Sequence, residues 1–396
     1  MTWTAADRIQ GFRPTVFAEM SELSARHGAV NLGQGFPDFP GPDFVKEAAK
    51  RAIDADLNQY AHPNGVLALR KVIAADWSER YGIEVDPDRH VTVTSGATEA
   101  IFDTIVALLN PGDELVSFEP FYDSYPASVA IAGGTMRVVT LQPPDWRFPV
   151  EALKSAVTGS ARVILLNTPH NPTGKVFSRV ELQAIADLAI EHDLVVVTDE
   201  VYDRITYDDA VHISIATLPG MWERTLTINS TGKTFSLTGW KIGYVIGPEH
   251  LQDALRAVHQ FVTFATATPF QVAMAEALVA ARENGYYPAL SAAYRERRDL
   301  LTRQLVDIGL PVLNVEGSYF TMASFDHLDF VDDVAFCRWL IEEAKVTPIP
   351  PSTFYLDPGS APKLVRFCFA KQLATIVEAG RRLKQVDWAR VCNPTG

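Results

Sequence analysis

At 396 residues the chain is long enough for two domains and a large core, and 47% hydrophobic with 21% charged residues is ordinary globular composition. A formal net charge of −13 argues against a nucleic-acid partner, because gripping phosphate backbones takes clustered Lys and Arg. No apolar run has signal-peptide character or the ~20 residues of a membrane span, so a cytoplasmic protein with no membrane partner is expected. Three cysteines (Cys337, Cys368, Cys392) have no C-x-x-C spacing, which points to a reducing compartment and to no metal site.

Residues 1–40 read as an N-terminal arm. A helix pattern over Val16 to His27 runs into V-N-L-G-Q-G-F-P-D-F-P-G-P, whose glycines and prolines preclude a regular helix. That composition fits either an irregular connector or backbone lying close to another surface. A helix from Asp43 to Ile53 follows, then the polar loop N-Q-Y-A-H-P-N-G with Tyr60.

From Leu67 to Leu141 helices and strands alternate. H-V-T-V-T ends in Ser95-Gly96-Ala97-Thr98, which opens a helix pattern from Glu99 to Leu109. Small residues at such a turn leave backbone N–H groups free at a helix N-terminus, a ready anion site. E-L-V-S-F then runs into E-P-F-Y-D-S-Y, an aromatic cluster past the carboxyl end of a strand, where open α/β sheets gather ligands. Packing alone accounts for Phe121, Tyr122 and Tyr125 equally well.

A-R-V-I-L-L-N-T-P-H-N-P-T-G-K reads as a strand buried on both faces, ending in a turn with Asn167, His170 and Asn171. Ser178 to Glu181 matches a capping box that starts a helix reaching about His192. L-V-V-V-T-D-E-V-Y-D is another buried strand, with Asp199 at its end and Tyr202 just beyond. A carboxylate there is costly unless a cation meets it. Next, T-L-T-I-N-S-T-G-K-T-F-S-L-T-G-W-K-I-G-Y-V-I-G sets Lys233 and Lys241 in a polar loop between strands Thr225 to Asn229 and Ile242 to Ile246. G-K-T imitates the end of a P-loop, but Thr227 stands where that motif needs glycine.

Helical patterns fill Glu249 to Glu283, broken near F-A-T-A-T-P-F, and Tyr287 to Ile308. The order then changes to short strands (Pro311 to Val315, Ser318 to Ala323), a helix from Asp332 to Ala344, and K-L-V-R-F-C-F-A before a closing helix. Domain limits of 1–40, 41–285 and 286–396 follow, the last a smaller α+β domain. Arg366, inside an apolar strand, needs an anionic partner, either protein or ligand.

An anion-binding helix start, an aromatic plate, an amide, an acid with a nearby phenol and a lysine pair are the parts needed to hold a phosphorylated, protonated heteroaromatic aldehyde. Pyridoxal 5′-phosphate is that cofactor, and it needs a buried carboxylate to keep its ring nitrogen protonated. At these motifs, together with N-L-G-Q-G-F-P-D-F-P, N-Q-Y and V-R-F-C-F, the chain resembles the class I/II aminotransferases of PLP fold type I, nearest the kynurenine/glutamine transaminase group. The likeness runs from about Pro14 to the final helix.

The resemblance implies an α/β fold with a mostly parallel seven-stranded sheet, a homodimer, and transfer of an amino group from an L-amino acid to a 2-oxo acid. It implies Lys233 as Schiff-base lysine and proton carrier, Asp199 on the pyridinium nitrogen, and Tyr202 and Asn171 on the ring's 3′ oxygen. Tyr122 would stack on the ring. Gly96, Ala97, Thr98, Ser230 and Lys241 would hold the phosphate, with Tyr60 reaching it from the partner subunit. Arg366 would clamp the substrate carboxylate as a fork that lysine does not reproduce, helped by Asn171 and closed over by Gly35. Phe17, Phe36, Tyr122 and Phe264 would line an apolar side-chain pocket suited to kynurenine, phenylalanine, methionine or glutamine.

Lysine at position 241, where many class I enzymes carry arginine, supports the subgroup. Phe264-Ala265, where some of that group carry an aromatic–histidine pair, leaves the exact substrate open. N-succinyl-diaminopimelate or methionine aminotransferase activity are the alternatives, with cysteine-conjugate β-lyase chemistry possible on the same lysine. An effector-binding regulator would need a DNA-binding module ahead of the arm. A nicotinamide oxidoreductase would need G-x-G-x-x-G after a strand, and G-Q-G-F-P-D fails at its last position.

Overall fold

The structure, a computed structural model, describes residues 6–10, 12 and 16–388; Pro14 and Cys392 lie outside them. Its strands are β1 (Val30–Asn31), β2 (Val91–Thr94), β3 (Glu114–Glu119), β4 (Thr135–Thr140), β5 (Ala161–Asn167), β6 (Val195–Asp199), β7 (Thr225–Ser230), β8 (Gly243–Ile246), β9 (Phe320–Ser324), β10 (Val346–Thr347) and β11 (Leu364–Cys368). Seven of them form one sheet in the order β2-β8-β7-β6-β5-β3-β4. Only β8 runs antiparallel to its neighbours.

The apolar run at β5 is a consequence of having both faces covered. Val163 and Leu165 pack into one hydrophobic cluster with Ile101 and Leu255, while Ile164 and Leu166 pack into another with Leu182 and Ile185. Alternation thus survives as two different apolar partners rather than as apolar and polar. Truncating Leu165, which is fully buried, would cost ~2–5 kcal/mol through lost transfer energy plus the cavity left behind.

Helix boundaries follow local signals. Val16–His27 forms as its periodicity predicts, and Ser178 caps Arg179–Glu191 through the reciprocal Ser178–Glu181 bonds of a capping box. The region after Val262 breaks and restarts at Thr268, where proline occupies the first turn. Two expectations need adjusting. Pro311 to Val315 contributes only a bridge from Val312 to Ala323, and Lys233 sits on a one-turn helix, Thr231–Thr234, rather than in an open loop.

The sheet order positions what matters. Because β8 lies between β2 and β7, Gly243 faces both Thr94 and Ser230 in register. The carboxyl ends of β2 and β7 and the start of β8 therefore meet, beside the carboxyl ends of β6 and β5.

The arm is tied to the C-terminal part of the chain. β1 pairs in parallel with β10, and Cys368 N donates to Leu32 O at 2.6 Å. Asn31 Oδ1 accepts from the backbone N–H groups of Gly33 (3.0 Å) and Gln34 (3.1 Å), an Asx-type turn that bends the arm toward the sheet. No helix among the described residues is long and apolar enough to cross a membrane.

Candidate active site

The strand ends enclose a cavity of about 430 Å³. Fourteen of the sixteen residues expected at the site from sequence line it: Phe17, Gly35, Phe36, Gly96, Ala97, Thr98, Tyr122, Asn171, Asp199, Tyr202, Ser230, Lys233, Lys241 and Arg366. Tyr60 and Phe264 do not reach the cavity of their own chain. They pack edge to face on its surface, centroids 5.4 Å apart, with Tyr60 84% exposed. Phe264 follows the end of the helix Glu249–Val262 in a left-handed conformation (φ 68°), in a turn closed by Phe264 N and His259 O.

The anion cradle is built from backbone. Gly96 caps the helix Ala97–Leu108 with φ 81°, and a Cβ there would lie 3.1 Å from Lys241 Nζ. A Cβ on Gly243 would come within 2.5 Å of the Gly96 carbonyl carbon, so glycine lets β8 press the cradle into place. Lys241, itself at φ 54°, brings its ammonium to the N–H groups that open the helix. Free N–H groups, a helix N-terminus and a lysine make a cradle for a dianion such as phosphate.

On the cavity floor Asp199 accepts a hydrogen bond from Tyr125 (2.7 Å), and burial pushes its carboxyl up to about 6. Burial also pulls the Lys233 ammonium down to about 8, opposed in part by the Asp199 charge. A buried acid held high beside a half-buried amine held low is the mark of a reactive site.

Arg366 is 2% exposed. Its Nη1 donates to Asn171 Oδ1 (3.0 Å) and its Nη2 to Gly33 O (2.8 Å), while Nε has no partner. The guanidinium also stacks over Phe320 (4.3 Å) and Phe354 (4.9 Å), with Phe17 at 5.5 Å. Among the described residues no carboxylate bonds it, and burial holds it down to about 10. Asn171 is fixed from behind, its N donating to Asn167 Oδ1 (2.7 Å) while Asn167 Nδ2 donates to Asp199 O (2.8 Å).

Sequence reasoning missed several participants. Tyr125 belonged to an aromatic cluster whose role stayed open, and Tyr319, whose hydroxyl takes a hydrogen bond from Lys233 Nζ at 3.1 Å, carried no signal of its own. Asp123, Phe320 and Gln34 also line the cavity. Behind the cradle, His259 Nδ1 faces Glu99 Oε1 (2.9 Å) and Asp103 Oδ2 (3.6 Å), while its Nε2 meets Pro63 O (2.9 Å). Glu99 in turn accepts from Ser95 N. Both ring nitrogens of His259 meet acceptors, so the ring carries both protons, and the two carboxylates hold it up at about 9.

The sequence pattern of the class I and II aminotransferases matches residues 28–383. The chain belongs to that family. It is 44% identical over 387 residues to a Mycobacterium tuberculosis protein described as a probable N-succinyldiaminopimelate aminotransferase, covering 95% of this chain and 97% of the relative. It is 40% identical over 411 residues to human kynurenine–oxoglutarate transaminase 1, covering 96% and 97%. A solved Escherichia coli structure with a methionine aminotransferase function superposes with a TM-score of 0.93 at 39% identity, covering 97% of this chain and all of that one. The chain is an aminotransferase with the α/β architecture of fold type I.

Proposed function

We propose that this aminotransferase uses pyridoxal 5′-phosphate, held at the cavity floor, to move amino groups from L-amino acids with aromatic or long apolar side chains to 2-oxo acids. The observation carrying the cofactor reading is the pairing of Asp199, buried and with no cation bonded to it among the described residues, with Lys233, a half-buried amine whose pKa is pulled down to about 8. The donor set fits: a cradle for the phosphate at Gly96 to Thr98, Ser230 and Lys241, a carboxylate for the ring nitrogen, and Tyr122 as a plate for the ring. When bound, the group supplies an electron sink that acidifies the substrate's Cα–H.

The chain's own residues divide the remaining work. Arg366 takes the substrate carboxylate, with its unpartnered Nε and the carbonyl-anchored Nη groups fixing the fork's plane. Lys233, once free, carries a proton to and from the substrate carbon, a task suited to an amine with pKa about 8. Asp199 keeps a proton on the ring nitrogen, Tyr202 and Asn171 hold the ring oxygen, and the arm at Gly35 excludes water.

Substrate choice rests on the lining. Phe17, Phe36, Tyr122 and Phe320 face the cavity, Arg366 is the sole arginine lining it among the described residues, and Asp123 adds a negative charge nearby. That disfavours a second substrate carboxylate and makes succinyl-diaminopimelate the weaker reading. Tyr60 and Phe264, exposed together with Phe261 (86%), support a homodimer in which each subunit completes its partner's cavity. Two buried free thiols, Cys337 and Cys368, support a cytoplasmic setting.

The test is the visible absorption of the purified protein with a panel of L-amino acids. A yellow band that bleaches with aromatic and long apolar donors supports the reading. A protein that stays colourless with added cofactor overturns it, and bleaching by succinyl-diaminopimelate alone would favour the other substrate. Lys233→Ala should lose turnover while keeping its fold.

A further inference from the structure

Four consecutive arm carbonyls are each held by a side chain from the C-terminal part of the chain. Arg366 Nη2 holds Gly33 O (2.8 Å), Lys371 Nζ holds Gln34 O (3.2 Å) and Phe36 O (2.8 Å), and the Tyr319 hydroxyl holds Gly35 O (2.8 Å). Among these donors only Tyr319 also touches Lys233, whose Nζ lies 3.1 Å from its hydroxyl. Gly35 itself is pressed onto these rings: a Cβ there would lie 2.7 Å from Phe320 and 3.8 Å from Tyr319.

The direction of the hydrogen bonds is fixed by chemistry. A carbonyl only accepts, so the Tyr319 proton points to Gly35 and only hydroxyl lone pairs face Lys233. Lys233 must then donate an N–H to Tyr319 whether it is an ammonium or a free amine. In the free amine that commits one of two N–H bonds and turns the lone pair away from Tyr319. Tyr319 is fully buried, so no water substitutes for it.

We infer that Tyr319 is a positioning residue that aims the free Lys233 amine into the cavity and couples the state of that amine to the seating of the arm over the substrate. This rests on the proposed role of Lys233 as the reactive lysine. The link spans three parts of the chain: arm carbonyl, tyrosine ahead of β9, and lysine after β7. An arm seated through Gly35 is the condition under which Tyr319 offers lone pairs, rather than its proton, to Lys233.

The experiment uses full-length protein, as purified and after an amino donor has converted the cofactor to its pyridoxamine form, which frees Lys233. Two quantities are read in wild type and Tyr319→Phe: amide hydrogen exchange of residues 33–37, and the pH midpoint of Lys233 acylation followed by mass spectrometry. Losing the acceptor disfavours the ammonium, so the midpoint should fall by at least half a pH unit, and arm exchange should quicken about tenfold. Tyr319→Ser should behave like Tyr319→Phe, because only a ring-borne hydroxyl reaches both partners. Tyr294→Phe, which removes a hydroxyl from the ring stacked on Tyr319 (5.8 Å, 28°), should leave both quantities at wild-type values.

Wild-type exchange and midpoint in Tyr319→Phe would overturn the inference, leaving Tyr319 as packing. Should Tyr319→Phe not fold, Lys233→Met decides. With no amine to donate to Tyr319, its arm should exchange faster than wild type, and exchange at the wild-type rate would overturn the coupling. Failure of the underlying reading is separate: borohydride reduction would then fix the cofactor to a lysine other than Lys233.

Discussion

Tyr125 donates its hydroxyl proton to Asp199 Oδ2 across 2.7 Å, and both side chains are shut away from water. Before a cofactor arrives, that one neutral donor is the main compensation for a carboxyl that burial holds at about 6. The folded value lies above the ordinary 3.8, so between these values the folded chain binds more protons than the unfolded one. Cofactor-free stability should therefore fall as pH rises from about 4 to 6. Asp199→Asn, which does not titrate, should gain ~2 kcal/mol on wild type over that interval, most of the ~3 kcal/mol that about two pKa units are worth in full. Chemical denaturation of the stripped proteins at pH 4.5 and 7 measures the gap.

Among the described residues Arg366 is a buried cation bonded only to neutral acceptors. Replacing it with Met should raise the melting temperature of the substrate-free protein, because an uncompensated buried charge is removed. Arg366→Ala should lower kcat/KM by a factor on the order of 10²–10³, mainly through KM, as expected for losing ~3–5 kcal/mol of a buried pair. Steady-state kinetics with several amino acids check it. A loss confined to one substrate would contradict contact with their common carboxylate.

His259 is held up at about 9 against an ordinary 6.5, with Glu99 and Asp103 facing it. A raised folded pKa stabilises fully below 6.5 and is lost as pH climbs through 9. His259→Asn should melt well below wild type at pH 6, and the two curves should converge near pH 10. Thermal melts across that range show whether they do.

Gly243→Ala should weaken cofactor binding roughly 10- to 100-fold, the equivalent of the ~1–3 kcal/mol that overpacking costs. The added methyl would fall 2.5 Å from the Gly96 carbonyl carbon and 2.7 Å from Ala97 N, displacing the cradle itself. Equilibrium dialysis against the cofactor reads the loss directly.

Subunit mixing tests the reach of Tyr60. Tyr60→Phe weakens every site of a homodimer if the residue serves the partner's phosphate cradle. Mixed with Lys233→Ala chains, it should regain near-native cofactor affinity in the one site of each hybrid that joins an intact Lys233 to a partner's Tyr60. Unchanged weak affinity in purified hybrids would assign Tyr60 to its own chain or to neither.

Much of the site was legible in the sequence because it lies at strand ends, where a polar residue breaks an apolar run: Asp199 after V-V-V-T and Asn167 after V-I-L-L announce themselves. Tyr319 and Tyr125 did not, since a tyrosine among apolar neighbours looks like packing until its hydroxyl is located. Phe264 lies on the surface of its own chain, where its backbone is left-handed, so any place it has at a cavity is one that only a partner subunit supplies. His259 falls on a helix whose pattern explains its burial, and only the tertiary fold brings Glu99 and Asp103 against it.

The bond from Arg366 to the Gly33 carbonyl joins residues 333 apart in sequence. A ribosome making ~5–20 residues per second therefore delivers the arm on the order of 20–70 s before the strand that receives it. Within that interval the nascent chain can assemble its seven-stranded sheet, whose last strand ends at Ile246, while the side chains that hold the carbonyls of Gly33, Gln34, Gly35 and Phe36 (Tyr319, Arg366 and Lys371) are all made later. Activity is thus a property of the finished polypeptide. A chain cut short before β11 would keep Lys233 and Asp199 yet have no means of holding a substrate under a closed arm.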